Sequence, residues 1–276
     1  MRFLRRRQPE VRVATWNLKQ AVAPLAKPTE LWAWLDQQAA PHIMVLTEAK
    51  VPTTGVPDGW QAQWREGGMG PRRRWGTVLA GRGVELTPVT TIPGADGVIS
   101  LDESWPGSVE VADVSVDGRY WATVVGMYAA TLDSEGKSCG HGRYTTPMTL
   151  RHLKPLFSSF RGERLILAGD FNVLPRDLPA RTFERFGLVE LAAHTAAARE
   201  PLAGCTECDD PARCGHMWTH RNTSGKNHRV QHIDFIFAST QLLPTLSTFT
   251  GGIEAFPDAW SMSDHAPLLA TFQVPR

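Results

Sequence analysis

Residues 165–174, LILAGDFNVL, set how the rest of the chain is read. The first half is a short apolar run of the kind that makes a buried strand, and it breaks at Gly169 into Asp170, Phe171 and Asn172. Asp and Asn also favour turns by bonding nearby backbone. The stretch alone therefore fits a strand followed by a turn as well as a strand that delivers an acid and an amide to a site. Polar groups at the ends of other strands separate the two readings.

The chain has 276 residues and a formal net charge of +1, so there is no global basic signal and any nucleic-acid contact must come from local patches. One patch is MRFLRRR at residues 1–7, read as part of a basic arm over 1–9 ahead of a single domain over 10–276. No apolar run of signal-peptide length follows it, and no segment approaches the roughly 20 apolar residues that cross a bilayer. The expectation is a soluble, cytoplasmic monomer without membrane contact. Four cysteines, three of them within residues 205–214, do not suggest a disulfide scaffold.

Weak alternation predicts a strand over 11–16 that ends at Asn17. A helix is expected over 30–40, with Leu31, Trp34 and Leu35 at helical spacing, Thr29 as its N-cap and Pro41 as its stop. An apolar strand over 43–47 then delivers Glu48, completing an α/β unit. Strands follow over 75–80, 84–89, 97–101, 109–116 and 120–128, with Asp117-Gly118 as a two-residue hairpin signal. A helix over 146–160 should be kinked or shortened by Pro155, and a short one over 178–186 is closed by Gly187. Strands over 233–239 and 267–274 complete two strand-rich halves able to stack as two sheets.

The strand ends share a chemistry. Asn17 follows VATW, Glu48 follows MVLT and Tyr128 follows TVVGM; Asp170 and Asn172 close LILAG, Asp234 opens DFIF, and Asp264 and His265 precede the last strand. Strand ends gathered at one sheet edge form a crevice. Carboxylate and amide oxygens suit a hard divalent ion, Mg²⁺ or Mn²⁺, completed by water and substrate phosphate. That gives Glu48 a metal role, with Asn17 and Asp264 beside it. A phosphoester also needs a nucleophile held in line and charge stabilisation on its oxygens. Asp170 suits the orientation or deprotonation of water, and His265 and Tyr128 suit the phosphoryl centre. No G-x-x-x-x-G-K-[ST] loop is present, and the one G-x-S-x-G match, Gly136 to Gly140, does not directly follow an apolar strand as a nucleophile elbow must, which points to hydrolysis by water.

The ordered set TWNL, LTEAK, MYA, GDFNVLP, HIDFIF and SDH, spanning residues 15–265, resembles the endonuclease/exonuclease/phosphatase superfamily, which includes exonuclease III-like and DNase I-like enzymes. The resemblance implies an α/β (α+β) four-layer sandwich, two facing mixed β-sheets flanked by helices, with a metal-dependent phosphodiesterase or phosphatase site. It implies Asn17 and Glu48 at the metal, Tyr128 as a phosphate-contacting phenol, Asp170 as the water-activating acid and Asn172 as its positioning amide. Asp234 would hold the histidine, Asp264 would be a further metal-linked acid, and His265 would contact phosphate. His232 departs from the pattern, which often has a basic residue there, and Ala129 stands where a polar residue often follows the tyrosine. Glu48 followed by Lys50 leans towards the exonuclease III-like branch, and so towards an endo- or exonuclease acting on DNA or RNA. A small-molecule or lipid phosphoester is the alternative within catalysis, and a non-catalytic scaffold the alternative outside it. Arg72, Arg73, Arg74 and Trp75, with Trp218 and Arg221, are the candidate substrate contacts, pairing cations with stacking surfaces.

A second constellation stands apart. Cys205-x2-Cys208-x5-Cys214-x-His216, in a Cys-rich loop over 203–220, has soft donors at the spacing of a structural Zn²⁺ site. Cys139-Gly140-His141 repeats the step at Cys214-Gly215-His216, so the fourth ligand is open between His216 and Cys139. A closed four-ligand zinc leaves no position for water, which makes the site structural. It would order an irregular loop and shape the rim carrying Trp218, His220, Arg221 and Lys226.

Overall fold

The structure is a computed structural model that describes residues 9–21, 24–64, 75–94, 97–100, 107–132, 143–202, 205, 208, 214–222 and 229–275. Residues 1–8 of the basic arm, Arg72, Arg73, Arg74, Cys139 and Lys226 lie outside these residues.

Two six-stranded sheets carry the fold. In order across the first sheet the strands are Leu246–Gly251, Leu268–Gln273, Glu10–Asn17, Ile43–Ala49, Gly76–Gly81 and Gln61–Trp64. Across the second they are Leu188–Glu190, Asp234–Ser239, Leu165–Asp170, Arg119–Tyr128, Val109–Val116 and Glu85–Pro88. Both sheets have one layout: the third and fourth strands are parallel and every other pairing is antiparallel. Parallel neighbours need a crossover, and both crossovers contain a helix, Pro28–Ala39 in one half and Thr146–Phe157 in the other.

The central strands read as continuous apolar runs because both of their faces are covered. Val11, Val13, Ile43 and Val45 of the first sheet meet Ala122, Val124, Ile166 and Ala168 of the second in a core between the sheets. The alternate residues face outwards. Ala14, Trp16, Met44 and Leu46 pack under Leu31, Trp32 and Leu35 of one helix; Val125, Met127, Leu165 and Leu167 pack under Leu150, Leu153 and Leu156 of the other. The result is the expected four-layer sandwich. The sheets approach closely at Gly126, where a Cβ would meet Thr77 Cγ2 at 2.8 Å and Val45 Cγ1 at 3.0 Å.

Three details differ from the sequence reading. The first helix starts at Pro28 with Lys27 as its cap, not Thr29, because proline's fixed φ and missing N–H suit the first helical position. The second helix is shortened as expected, but past Pro155 and not at it: the proline lies inside the helix, which ends at Phe157. The strands Gln61–Trp64, Leu188–Glu190 and Leu246–Gly251 had no apolar run to announce them, since each is a sheet edge with a partly exposed face. Among the described residues no helix is long and apolar enough to cross a membrane.

Candidate active site

The shared layout of the sheets assembles the site. Asn17 ends one parallel strand of the first sheet and Glu48 lies next to the end of the other. Tyr128 and Asp170 end the parallel pair of the second sheet in register with each other, and Asp170 is in register with Asp234 on its other side. Asp234 opens an antiparallel strand, and His265 precedes one, so both return to the same edge. Three hydrogen bonds then cross from sheet to sheet. Asn17 Nδ2 donates to Asp170 Oδ2 at 2.8 Å, Tyr128 Oη donates to Glu48 Oε1 at 3.0 Å, and His265 Nδ1 pairs with Asp234 Oδ2 at 2.8 Å. The first joins third strand with third, and the second joins fourth with fourth. The last joins the segment just before the second strand of the first sheet to the second strand of the other.

Local backbone makes these positions reachable. Gly169 has φ 144°, and a Cβ there would fall on the Met127 carbonyl, so only glycine lets the strand deliver Asp170 at this spacing. Asn172 takes a left-handed φ of 51°, which asparagine tolerates, and its backbone N–H donates to Asp170 Oδ1 at 2.8 Å. The Asn172 amide donates to Asp170 Oδ2 at 3.1 Å and to the Ala129 carbonyl at 2.9 Å. Glu48 has φ 43°, at a register shift between Leu46 and Ala49. Such a bulge re-aims a side chain at the end of a strand. His265 is fixed from behind: its carbonyl accepts from Trp16 Nε1 at 2.8 Å, and its N–H donates to Ser263 Oγ at 3.1 Å.

Burial and charge set the protonation states. Burial, followed by repulsion from Asp234, pushes the Asp170 pKa up to about 8. Burial also raises that of Glu48, against the attraction of His265 and the bond from Tyr128. For His265 burial works to lower the pKa, but the charge and hydrogen bond of Asp234, with Asp170 and Asp264 beyond, outweigh it and raise the pKa to about 10. His265 is therefore an imidazolium at neutral pH. Burial acts to raise the pKa of Asp264, yet His265 and Lys19, whose Nζ lies 2.7 Å from Oδ2, bring it below the ordinary value. The His220 ring lies 4.4 Å from that of His265, and burial together with that neighbouring charge lowers its pKa to about 3, so it is neutral.

The donor set suits a hard divalent ion. Glu48, Asp264 and the Asn17 amide offer oxygen ligands, the burial-raised pKa of Glu48 marks a carboxylate short of positive charge, and the buried Asp234 Oδ1 has no hydrogen-bond partner among the described residues.

The expected rim is only partly in place. Trp75 is 7% exposed and stands edge-on to Tyr128 at 5.1 Å, so it buttresses the phenol and does not offer a stacking face. Arg221 donates to the Trp260 carbonyl at 2.8 Å and lies over the Trp260 ring, which turns its guanidinium to the protein. Trp218 is half-buried, with its carbonyl bonded by Ile253 N–H at 3.0 Å. His232 is buried against Phe235, and burial holds its pKa down at about 3, so it does not replace a basic residue. Sequence reasoning missed Lys19 and Thr219 and saw His220 only as rim. Thr219 Oγ1 accepts from Ile233 N at 3.1 Å and Asp234 N at 3.2 Å, a junction that no local pattern signals. Cys205, Cys208, Cys214 and His216 do come together, with all their donor atoms within 4.8 Å of one another.

Comparison with known proteins agrees with this architecture. The chain is similar in structure to the AP endonuclease LMAP from Leishmania major, at TM-score 0.63 and 16% identity over 96% of this chain and 88% of that one. It is similar to the endonuclease domain of TRAS1, a telomere-specific non-LTR retrotransposon, at TM-score 0.61 and 14% identity over 96% and 100%. A third likeness is to the 3′ phosphatase NExo from Neisseria bound to a product DNA hairpin, at TM-score 0.59 and 18% identity over 95% and 99%. A sequence search of curated proteins gives no significant match. A family profile described as Endonuclease/Exonuclease/phosphatase matches residues 14–265, nearly the whole chain, and the protein belongs to that family.

Proposed function

We propose that this protein is a divalent-metal-dependent hydrolase of phosphodiester bonds in nucleic acid. The observation that carries the reading is Asp170, a buried carboxylate with one acceptor position left. Its two oxygens offer about four lone-pair positions, and three hydrogen bonds from Asn17 and Asn172 occupy three of them. In the ionised form the remaining position can take a proton from water, and a pKa of about 8 makes that form the major one only at mildly basic pH, so activity should rise with pH through about 8. His265 is oriented through Nδ1 by Asp234, which leaves Nε2–H to donate to a phosphoryl oxygen whose charge grows in the transition state. Tyr128 positions Glu48 by donating its hydroxyl to Oε1 beside the same crevice. Glu48, with Asn17 and Asp264, would hold Mg²⁺ or Mn²⁺, which supplies Lewis-acid charge for a phosphoryl oxygen.

Nucleic acid is favoured over a small or lipid ester because the structural likenesses include two named endonucleases and a phosphatase bound to DNA. Plasmid, single-stranded DNA, RNA and an aryl phosphodiester, each offered with Mg²⁺ or Mn²⁺, test the reading. Cleavage of DNA or RNA is expected. Turnover of the aryl ester alone would sink the nuclease assignment.

A further inference from the structure

The second constellation lies outside the hydrolytic machinery. Cys205 Sγ is 3.7 Å from Cys208 Sγ, far beyond the ~2.05 Å of a disulfide. His216 Nδ1 is 3.2 Å from Cys205 Sγ and 3.3 Å from Cys208 Sγ, and Cys214 Sγ completes a group within 4.8 Å. Zinc bonds sulfur at about 2.3 Å and imidazole nitrogen at about 2.0–2.1 Å, so a tetrahedron about zinc has S···S edges near ~3.8 Å and S···N edges near ~3.5 Å. The observed separations lie within a few tenths of an ångström of those edges. Three soft sulfur donors and one nitrogen fill four positions, which is the donor set of a closed site. Among the described residues the fourth donor of this grouping is His216.

What the group is attached to matters as much. The described residues of the segment 201–219 belong to no helix or strand, so no backbone ladder orders them. At the downstream end of the group, Gly215 is packed so tightly that a Cβ would meet Ala193 Cα at 3.2 Å, and its carbonyl accepts from Arg199 at 2.9 Å. Three residues past His216 the chain becomes a staple between the two halves of the site. The Thr219 hydroxyl accepts from the N–H of Asp234, the Thr219 carbonyl accepts from Ala266 N at 2.7 Å, and Arg221 N donates to the Asp264 carbonyl at 2.8 Å. His220 lies against His265 between these bonds, the two rings tilted by 39°.

We propose that Cys205, Cys208, Cys214 and His216 bind one Zn²⁺, and that this ion anchors the staple Thr219–Arg221, which sets His265 against Asp234. Binding converts three thiols to thiolates, with their protons released to solvent. The ligand assignment is independent of the hydrolase reading; only the link to His265 rests on it.

The test uses the full chain. Metal analysis of the purified chain, after loading with zinc and removal of the excess by gel filtration, should find one zinc per chain, and exchange with Co²⁺ should give tetrahedral d–d bands with thiolate charge transfer. Cys139→Ser should keep the zinc and Cys208→Ser should lose it. Should Cys208→Ser fail to fold, the cobalt spectrum of the unaltered chain decides the ligand set. Folded protein that takes up no stoichiometric zinc when zinc is supplied, or a Cys205–Cys208 disulfide found by mass spectrometry, would overturn the site. Removing zinc should shift the imidazole NMR signals of His265 while the far-ultraviolet circular dichroism stays that of the folded sheets. Unmoved His265 signals in the zinc-free protein would overturn the anchoring role and leave hydrolysis untouched.

Discussion

Replacing Asp170 by Asn removes the proposed base with almost no change in volume. General-base catalysis contributes roughly 10²–10⁴ in rate, about 3 to 5 kcal/mol of barrier, so kcat/KM should fall by that factor. The fold should not suffer in proportion. The carboxylate accepts three hydrogen bonds. An amide can keep its oxygen on the Asn172 N–H, but it then presents an NH₂ group to the amides of Asn17 and Asn172, losing two bonds worth about 1 to 3 kcal/mol each. Against that loss, the substitution removes a buried charge facing Asp234. The pH dependence gives the sign. An acid whose folded-state pKa is raised from 3.8 to about 8 destabilises the native state increasingly across that interval, so metal-free wild type should lose stability through this group as pH rises and the variant should not. Steady-state kinetics on a cleavable oligonucleotide, with urea unfolding at about pH 5 and about pH 8.5, measure both effects. A kcat/KM within about tenfold of wild type would remove Asp170 from the mechanism, and a stability gap that widens against the variant with rising pH would refute the electrostatics.

Three further outcomes follow from the geometry. Asp234→Asn removes the largest of the charges that outweigh burial at His265, so the imidazole pKa should drop from about 10; NMR titration of EDTA-treated protein reads it directly, and an unchanged value would contradict the pairing. Glu48→Gln should raise the Mn²⁺ concentration for half-maximal activity by at least about tenfold, because the amide carries no charge to hold the ion; an unchanged metal dependence would place the ion elsewhere. Gly169→Ala should cost about 3 to 5 kcal/mol in urea unfolding, since its methyl would overlap the Met127 carbonyl at a φ of 144°; a cost under about 1 kcal/mol would mean the parallel pair is more pliable than described.

Much of the site was legible because a buried strand that ends in an acid breaks its own apolar pattern: LILAGD, IMVLTE and DFIF each announce a polar group that the core would not otherwise accept. The four layers were legible for the related reason that strands covered on both faces read as unbroken apolar runs. Sequence could not show which end meets which. That Asn17 bonds Asp170 and Glu48 bonds Tyr128 follows from two sheets with one strand layout stacking face to face, a fact of topology. Trp75 looked like a stacking surface because an aromatic beside arginines reads that way, whereas burial against Tyr128 makes it a support. Lys19, Thr219 and His220 were not legible as site residues because their contacts with Asp264, Asp234 and His265 come from segments dozens to hundreds of positions away or through backbone groups that carry no residue signature.

The central claim, metal-dependent attack of water on phosphorus, is tested most directly by turning over an end-labelled oligonucleotide in ¹⁸O-water with Mg²⁺ or Mn²⁺ and analysing the products by mass spectrometry. The account predicts that the label enters the phosphoryl group of the product and that EDTA abolishes the reaction. Label absent from the phosphoryl group, or turnover that persists in EDTA, would contradict it.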